Sequence, residues 1–203
     1  MAQKATKPNG KLGVMVVGLG AVTSTFMTGV LMARKGLAKP VGSMTQYDKI
    51  RVGRGNDKKY LHYKDIVPLA DLNDIIFGAW DVYPVNAYQA AMNAQVLKEK
   101  DIEPVRDELE QIVALPAAFD HNYAKRLDGD NIKKAADRWD MTEQIREDIR
   151  AFKARTGVER VVVLWAASTE VYVPVDKDVH YTLEALEKAM RADDKEHIAP
   201  SMC

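Results

Sequence analysis

Six residues near the start of the chain, Leu12-Gly-Val-Met-Val-Val17, form a short apolar run bounded by glycines. The run reads as a parallel strand buried on both faces. Gly18-Leu-Gly20 turns the chain. Val22 to Lys35 then reads as a helix, with Phe26, Val30 and Ala33 on one face. Arg34 and Lys35 sit at its negative end and Gly36 stops it. A strand, a glycine-rich turn and a helix make the first half of a βαβ unit. Few folds can begin that way, and those that do carry a largely parallel sheet.

The rest of the chain continues the alternation. Lys39 to Tyr63 is basic and turn-rich, and Ile50 and Val52 alternate with Lys49 and Arg51 as in a short half-exposed strand. Asp74-Ile-Ile-Phe-Gly78 is a second buried-strand candidate. Pro84 suits the first turn of a helix whose face carries Val85, Tyr88, Met92 and Val96, closed by Lys98 and Lys100. Glu103 to Leu115 reads either as a helix or as a helix feeding a short strand. Asp140 and Glu143 have capping-box spacing ahead of a helix with Ile145, Ile149 and Phe152 on its face and Gly157 at its end. Val161-Val-Val-Leu-Trp165 is apolar and β-branched, which predicts a central strand. Thr182 to Arg191 closes with an amphipathic helix. The fold class is therefore α/β: a Rossmann-like, doubly wound, mostly parallel sheet. The final Ile198-Ala-Pro-Ser-Met-Cys203 looks like the opening of another helix, so the sheet is expected to be incomplete at the C-terminus; an ordinary frayed end is the alternative.

Composition narrows the classes. At 203 residues and 22.7 kDa the chain can bury one ordinary core, keeping roughly 9,500 Å² of surface. Residues 1–11 are expected to be a flexible tail and 12–203 one domain. Twenty-nine basic residues balance 29 acidic ones, so no overall field draws the chain to nucleic acid or to an anionic membrane. The single Cys203 excludes an internal disulfide and favours a reducing compartment. The polar start is no secretory signal, and no apolar run is long enough to span a bilayer. A cytoplasmic location follows as the expectation.

Three places could carry chemistry. Gly18-Leu-Gly20-Ala-Val-Thr23 stands where a dinucleotide fingerprint belongs, between a strand and a helix. Gly18 permits the tight turn, Gly20 lets backbone N–H groups approach a pyrophosphate, and the helix start adds partial positive charge. Thr23 replaces the third glycine, and no acidic residue ends a clear second strand about 20 residues on. Taken by itself, the motif also fits a glycine turn serving another ligand or none. Trp165-Ala-Ala-Ser-Thr-Glu170 follows the strongest strand, where ligands of open sheets bind. Small side chains there admit a flat ring, although Ser168 or Thr169 could simply cap the next segment. Gly78-Ala-Trp-Asp81 offers a carboxylate for ribose hydroxyls or for a helix cap. The four histidines show no metal-ligand spacing, and with one distant cysteine no metal site is expected.

The ordered series Gly18-Leu-Gly20-Ala, Gly42-Ser-Met-Thr-Gln46, Lys49-Ile-Arg-Val-Gly53, Phe77-Gly-Ala-Trp-Asp81, Leu115-Pro, Trp165-Ala-Ala-Ser-Thr-Glu170 and Ile198-Ala-Pro-Ser201 resembles the inositol-3-phosphate synthase (myo-inositol-1-phosphate synthase) family. The resemblance runs from about Leu12 to the last residue. It implies a bound NAD and an isomerisation of D-glucose 6-phosphate to an inositol monophosphate by oxidation, enolisation, intramolecular aldol closure and reduction. It implies a homo-oligomer, a tetramer when complete. It places Gly18, Gly20, Ala21, Val22 and Thr23 along the pyrophosphate and Asp81 at the adenosine ribose. Ala166, Ala167, Ser168 and Thr169 would line the cofactor, with Arg126 near it. The Ala-Val-Thr stretch departs from the Gly and Asn residues of many members, and Ala117 stands where some have a serine. The family's sugar-polarising lysines lie later in its chains, so no catalytic residue is assigned and the chain by itself is expected to be inactive. Two rival readings are a conventional NAD-dependent sugar dehydrogenase or epimerase and a non-catalytic dinucleotide-binding module.

Overall fold

The computed structural model describes residues 10–203. The first nine residues of the expected tail lie outside the described part. Its last residue, Lys11, is already tied down, because its carbonyl accepts the Glu159 N–H at 3.0 Å.

The first apolar run is β1 (Leu12–Val17), with its four inner residues buried. It is followed by α1 (Ala21–Arg34). The basic stretch forms an antiparallel pair, β2 (Lys49–Val52) and β3 (Lys59–His62), flanked by single helical turns. β4 (Ile75–Asp81) runs three residues further than the apolar pattern marks. Next comes α2 (Ala87–Ala94), with Asn86 and Gln89 in a reciprocal capping box. Pro84 lies before that cap rather than inside the helix. The ambiguous stretch resolves into short turns, α3 (Arg106–Glu110) and a two-residue β5 (Leu115–Pro116). The long helix α4 (Arg138–Thr156) begins two residues before Asp140. Its cap is Asp137, which accepts the Asp140 N–H, so the capping box expected at Asp140 does not form. β6 (Arg160–Trp165) and α5 (Leu183–Arg191) follow.

Among the described residues the main sheet has the order β5-β4-β1-β6, and every neighbouring pair is parallel. Its two faces carry separate cores. On one face Val14, Val16, Phe77 and Ala79 pack against Met27 and Leu31 of α1 and Ala87, Ala90 and Ala91 of α2. On the other, Met15 and Trp80 pack against Phe152 of α4, with Ile145 and Ile149 beside it. The Phe152 ring occupies space left by two strand glycines. A Cβ on Gly13 would stand 2.7 Å from it and one on Gly78 3.0 Å. Helices on both faces of a parallel sheet are the doubly wound architecture.

One expectation fails. The pattern of Val161 to Trp165 predicts a central strand, but among the described residues β6 lies at the sheet edge. Val162, Val163, Leu164 and Trp165 are each between 41 and 50% exposed. The apolar run signals a strand meant for burial on both faces. Among the described residues, however, no strand lies along its outer edge, and α1 and α4 are centred over β1 and β4.

Candidate dinucleotide site

The connections reverse direction at β1. The chain passes from β1 to β4 on one side and later returns to β6 on the other. Open α/β sheets bind ligands at the carboxyl ends of strands at such a point. A cavity of about 600 Å³ opens there. Gly18 to Ala21 follow β1, Trp80 to Val85 span the end of β4, and Trp165 to Ser168 span the end of β6, and all of them form its wall.

The glycine turn is held from three sides. Gly18 has φ +94°, and its N–H donates to the Trp80 carbonyl at 2.8 Å. A Cβ there would stand 2.8 Å from Ala167 Cα and 2.9 Å from the Ala166 carbonyl, so Gly18 is required by both conformation and packing. Ala166 N–H in turn donates to Val17 at 2.9 Å, which joins the Trp165–Thr169 segment to the turn. Gly20 differs. It precedes the first helical residue with no side-chain cap, and a Cβ on it would meet nothing within 4 Å. No acidic residue stands in the first turn of α1. The result is a helix start with backbone donors, partial positive charge and open space before it, which fits the diphosphate of a dinucleotide.

Asp81, the carboxylate that the sequence offers for ribose hydroxyls or for a helix cap, stands beside the glycine turn. It ends β4, the strand beside β1 in space, which is the position of the acidic residue in the dinucleotide fingerprint. The segment carrying β2 and β3 is inserted before β4, so Leu19 and Asp81 lie 62 positions apart. Even so, the Asp81 Oδ2 accepts the Leu19 N–H at 2.5 Å. Its Oδ1 accepts the Tyr83 N–H at 3.0 Å. A count of 20 residues misses it; adjacency in the sheet finds it.

The remaining sequence candidates divide. Ala21, Ala166, Ala167 and Ser168 stand in the cavity wall. Val22 is 73% exposed and not part of it. Thr23 is buried, and its hydroxyl donates to the Gly18 carbonyl at 2.5 Å. Its side chain closes the turn from behind and does not face the cavity. Arg126 and Thr169 line an adjoining hollow of about 530 Å³, which shares Ser168 and Glu170 with the first.

Two supports escaped the sequence reading. The Trp80 indole N–H donates to Asp148 Oδ2 of α4 at 2.7 Å, and Lys133 Nζ reaches the same oxygen at 2.7 Å. On the far wall, Arg138 donates to Asp120 at 2.8 Å and to the Ile198 carbonyl at 3.1 Å, fixing the loop that carries Phe119 and Ala124. Burial by itself raises the Asp120 carboxyl, but hydrogen bonds from Arg138 and Asn122 outweigh it and hold it below the usual carboxylate range. Nothing in residue spacing links position 80 to 148 or 120 to 138.

A family model described as myo-inositol-1-phosphate synthase, for its NAD-binding part, matches residues 12–203. The chain belongs to the myo-inositol-1-phosphate synthase family. It is 59% identical over 204 residues to inositol-3-phosphate synthase 1 of Bacteroides thetaiotaomicron, covering all of this chain and 47% of that protein. It is 35% identical over 213 residues to inositol-3-phosphate synthase 1 of Oryza sativa subsp. japonica, covering 98% of this chain and 42% of the other. A solved structure of the Caenorhabditis elegans inositol-3-phosphate synthase superposes with a TM-score of 0.87 at 28% identity, over 96% of this chain and 41% of that one. Residues 12–203 thus correspond to the NAD-binding part of the synthases, and the chain spans about half the length of the curated relatives it matches. No helix among the described residues is long and apolar enough to cross a membrane.

Proposed function

We propose that residues 12–203 form the NAD-holding part of an inositol-3-phosphate synthase, which isomerises D-glucose 6-phosphate to an inositol monophosphate. The observation that carries this reading is the pair of glycines. Gly18 is locked against Ala167, while Gly20 faces open space at an uncapped helix start. Such a turn has the backbone donors and the room that an anionic diphosphate needs. Gly18, Gly20 and Ala21 hold the diphosphate through main-chain groups. Asp81 meets the adenosine ribose, and Ala166, Ala167 and Ser168 line the nicotinamide side. Thr169 and Arg126 border the adjoining hollow, while Thr23 supports the turn from behind and the exposed Val22 lies outside the cavity wall. When bound, NAD supplies a reversible hydride acceptor, so the overall change is an isomerisation. This chain's contribution is to bind, orient and enclose it. In this reading the synthase is a cytoplasmic homo-oligomer, a tetramer when complete. The lysines that act on the sugar belong to the portion of the relatives this chain does not span.

Calorimetric titration of the chain with NAD tests the reading. Saturable one-to-one binding is expected. Gly20→Ala should weaken it at least about tenfold, because a methyl group would enter the space of the diphosphate, while the unfolding midpoint stays unchanged. Absence of binding, or a Gly20→Ala variant that binds as well as the parent, would refute the assignment. Incubation of the chain with NAD and glucose 6-phosphate is expected to give no inositol phosphate.

A further inference from the structure

β4 and β5 pair over only two residues, Trp80 with Leu115 and Asp81 with Pro116. Pro116 has no N–H, so the ladder has no backbone donor to continue with at the level of Asp81. Asn131 supplies donors from a side chain. Its Nδ2 donates to the Asp81 carbonyl at 2.8 Å and to the Leu115 carbonyl at 3.3 Å. Its backbone N–H donates to the Val82 carbonyl at 2.9 Å, and its own carbonyl accepts the Ala117 N–H at 3.0 Å. One residue therefore ties the end of β4 to the end of β5. The approach is close on the adjacent side too: a Cβ on Gly129 would stand 2.4 Å from the Val82 carbonyl. Lys133 continues the brace, donating its N–H to Ala117 at 2.9 Å and its ammonium to Asp148.

This brace lies behind the carboxylate, on the main chain that carries it. Asp81 is held from the front by Leu19 and Tyr83 N–H groups, and from the back by Asn131 alone among side-chain donors in the described hydrogen bonds. A carboxylate distinguishes a ribose 2′-hydroxyl from a 2′-phosphate by accepting a hydrogen bond from the first and repelling the second. That discrimination requires a carboxylate that cannot swing away.

We infer that Asn131 is a positioning residue for nucleotide selectivity, holding Asp81 so that a dinucleotide with a free 2′-hydroxyl is favoured over its 2′-phosphorylated counterpart. The inference rests on the assignment of Asp81 to the adenosine ribose. The test is titration of the full chain with NAD and with NADP, for the parent, Asn131→Ala, Asn131→Ser, Asp81→Ala and the Asp81→Ala, Asn131→Ala double variant, with thermal unfolding recorded for each. The parent should favour NAD at least about tenfold. Asn131→Ala should narrow that ratio about five- to tenfold, the worth of one well-made hydrogen bond. Asn131→Ser, which keeps one donor, should fall between. In the Asp81→Ala background Asn131→Ala should leave the ratio where it is, because the two act through one group. A merely structural role would weaken both nucleotides together and leave the ratio intact; that result in Asn131→Ala, or in folded Asn131→Ser if the alanine variant does not fold, overturns the inference. A parent chain that binds both nucleotides equally instead removes the role given to Asp81, and the inference falls with it.

Discussion

At the residue scale, neighbouring positions of one motif do different work. Gly18 is a structural glycine, since φ +94° and the Ala167 backbone both forbid a side chain. Gly18→Ala is expected to lower stability by about 1–3 kcal/mol or more, measured by urea denaturation, which separates it from the stability-neutral Gly20→Ala. Thr23 gives a second contrast. A threonine at the diphosphate would affect binding and not stability. The buried hydroxyl that donates to Gly18 predicts the reverse order. Thr23→Val should cost about 1 kcal/mol of stability, with any change in NAD affinity no larger than that loss. The residue pattern by itself makes the glycine turn legible. It left Thr23 ambiguous, because the direction of a side chain on the first turn of a helix depends on how that helix docks.

At the element scale, the core under α4 depends on a single insertion. Phe152 fills the space over Gly13 and Gly78, joining α4 to β1 and β4. Phe152→Ala should cost about 3–5 kcal/mol, read from the unfolding midpoint, since the two glycines leave nothing to refill the space. The start of α4 depends on the Arg138–Asp120 pair, whose side chains are 4% and 18% exposed. Asp120 titrates below the usual carboxylate range in the folded chain. A group depressed on folding contributes stability that is fully present above its unfolded value and is lost as pH falls through its folded one. Stability should therefore decline below about pH 4, and Asp120→Asn should flatten that decline in acid unfolding measurements. Arg138→Met should cost about 3 kcal/mol at neutral pH by leaving Asp120 without its cation. The existence of α1, α4, α5, β1, β4 and β6 was legible from apolar periodicity. Their caps were less so: Asp137 and Asp140 both suit an N-cap, and only the chain's path chooses between them.

At the scale of the whole molecule, much apolar surface lies open. Among the described residues Val22, Val41, Tyr172 and Leu183 are each at least 69% exposed. No residue from Met32 to Asp74 is buried, although that stretch carries the β2–β3 pair. β6 adds a half-exposed apolar strand at a sheet edge. Open edges of this kind pair with other chains. Val163→Lys is expected to reduce concentration-dependent association in sedimentation velocity while leaving NAD affinity unchanged; equal association of parent and variant would remove β6 as its source.

Local sequence alone determined the strand–turn–helix opening, the α/β class and the glycine pair, because periodicity and backbone permissiveness are properties of a few consecutive residues. The ordered motifs added the family. Only the tertiary structure decided that Asp81 is the acid beside the glycine turn, that Thr23 faces inward, that β6 lies at an edge and that Asn131 stands behind Asp81. Each of those depends on which strand lies beside β1 and how far apart in the chain its neighbours are. An inserted segment such as 37–70 changes spacing along the chain without changing adjacency in the sheet.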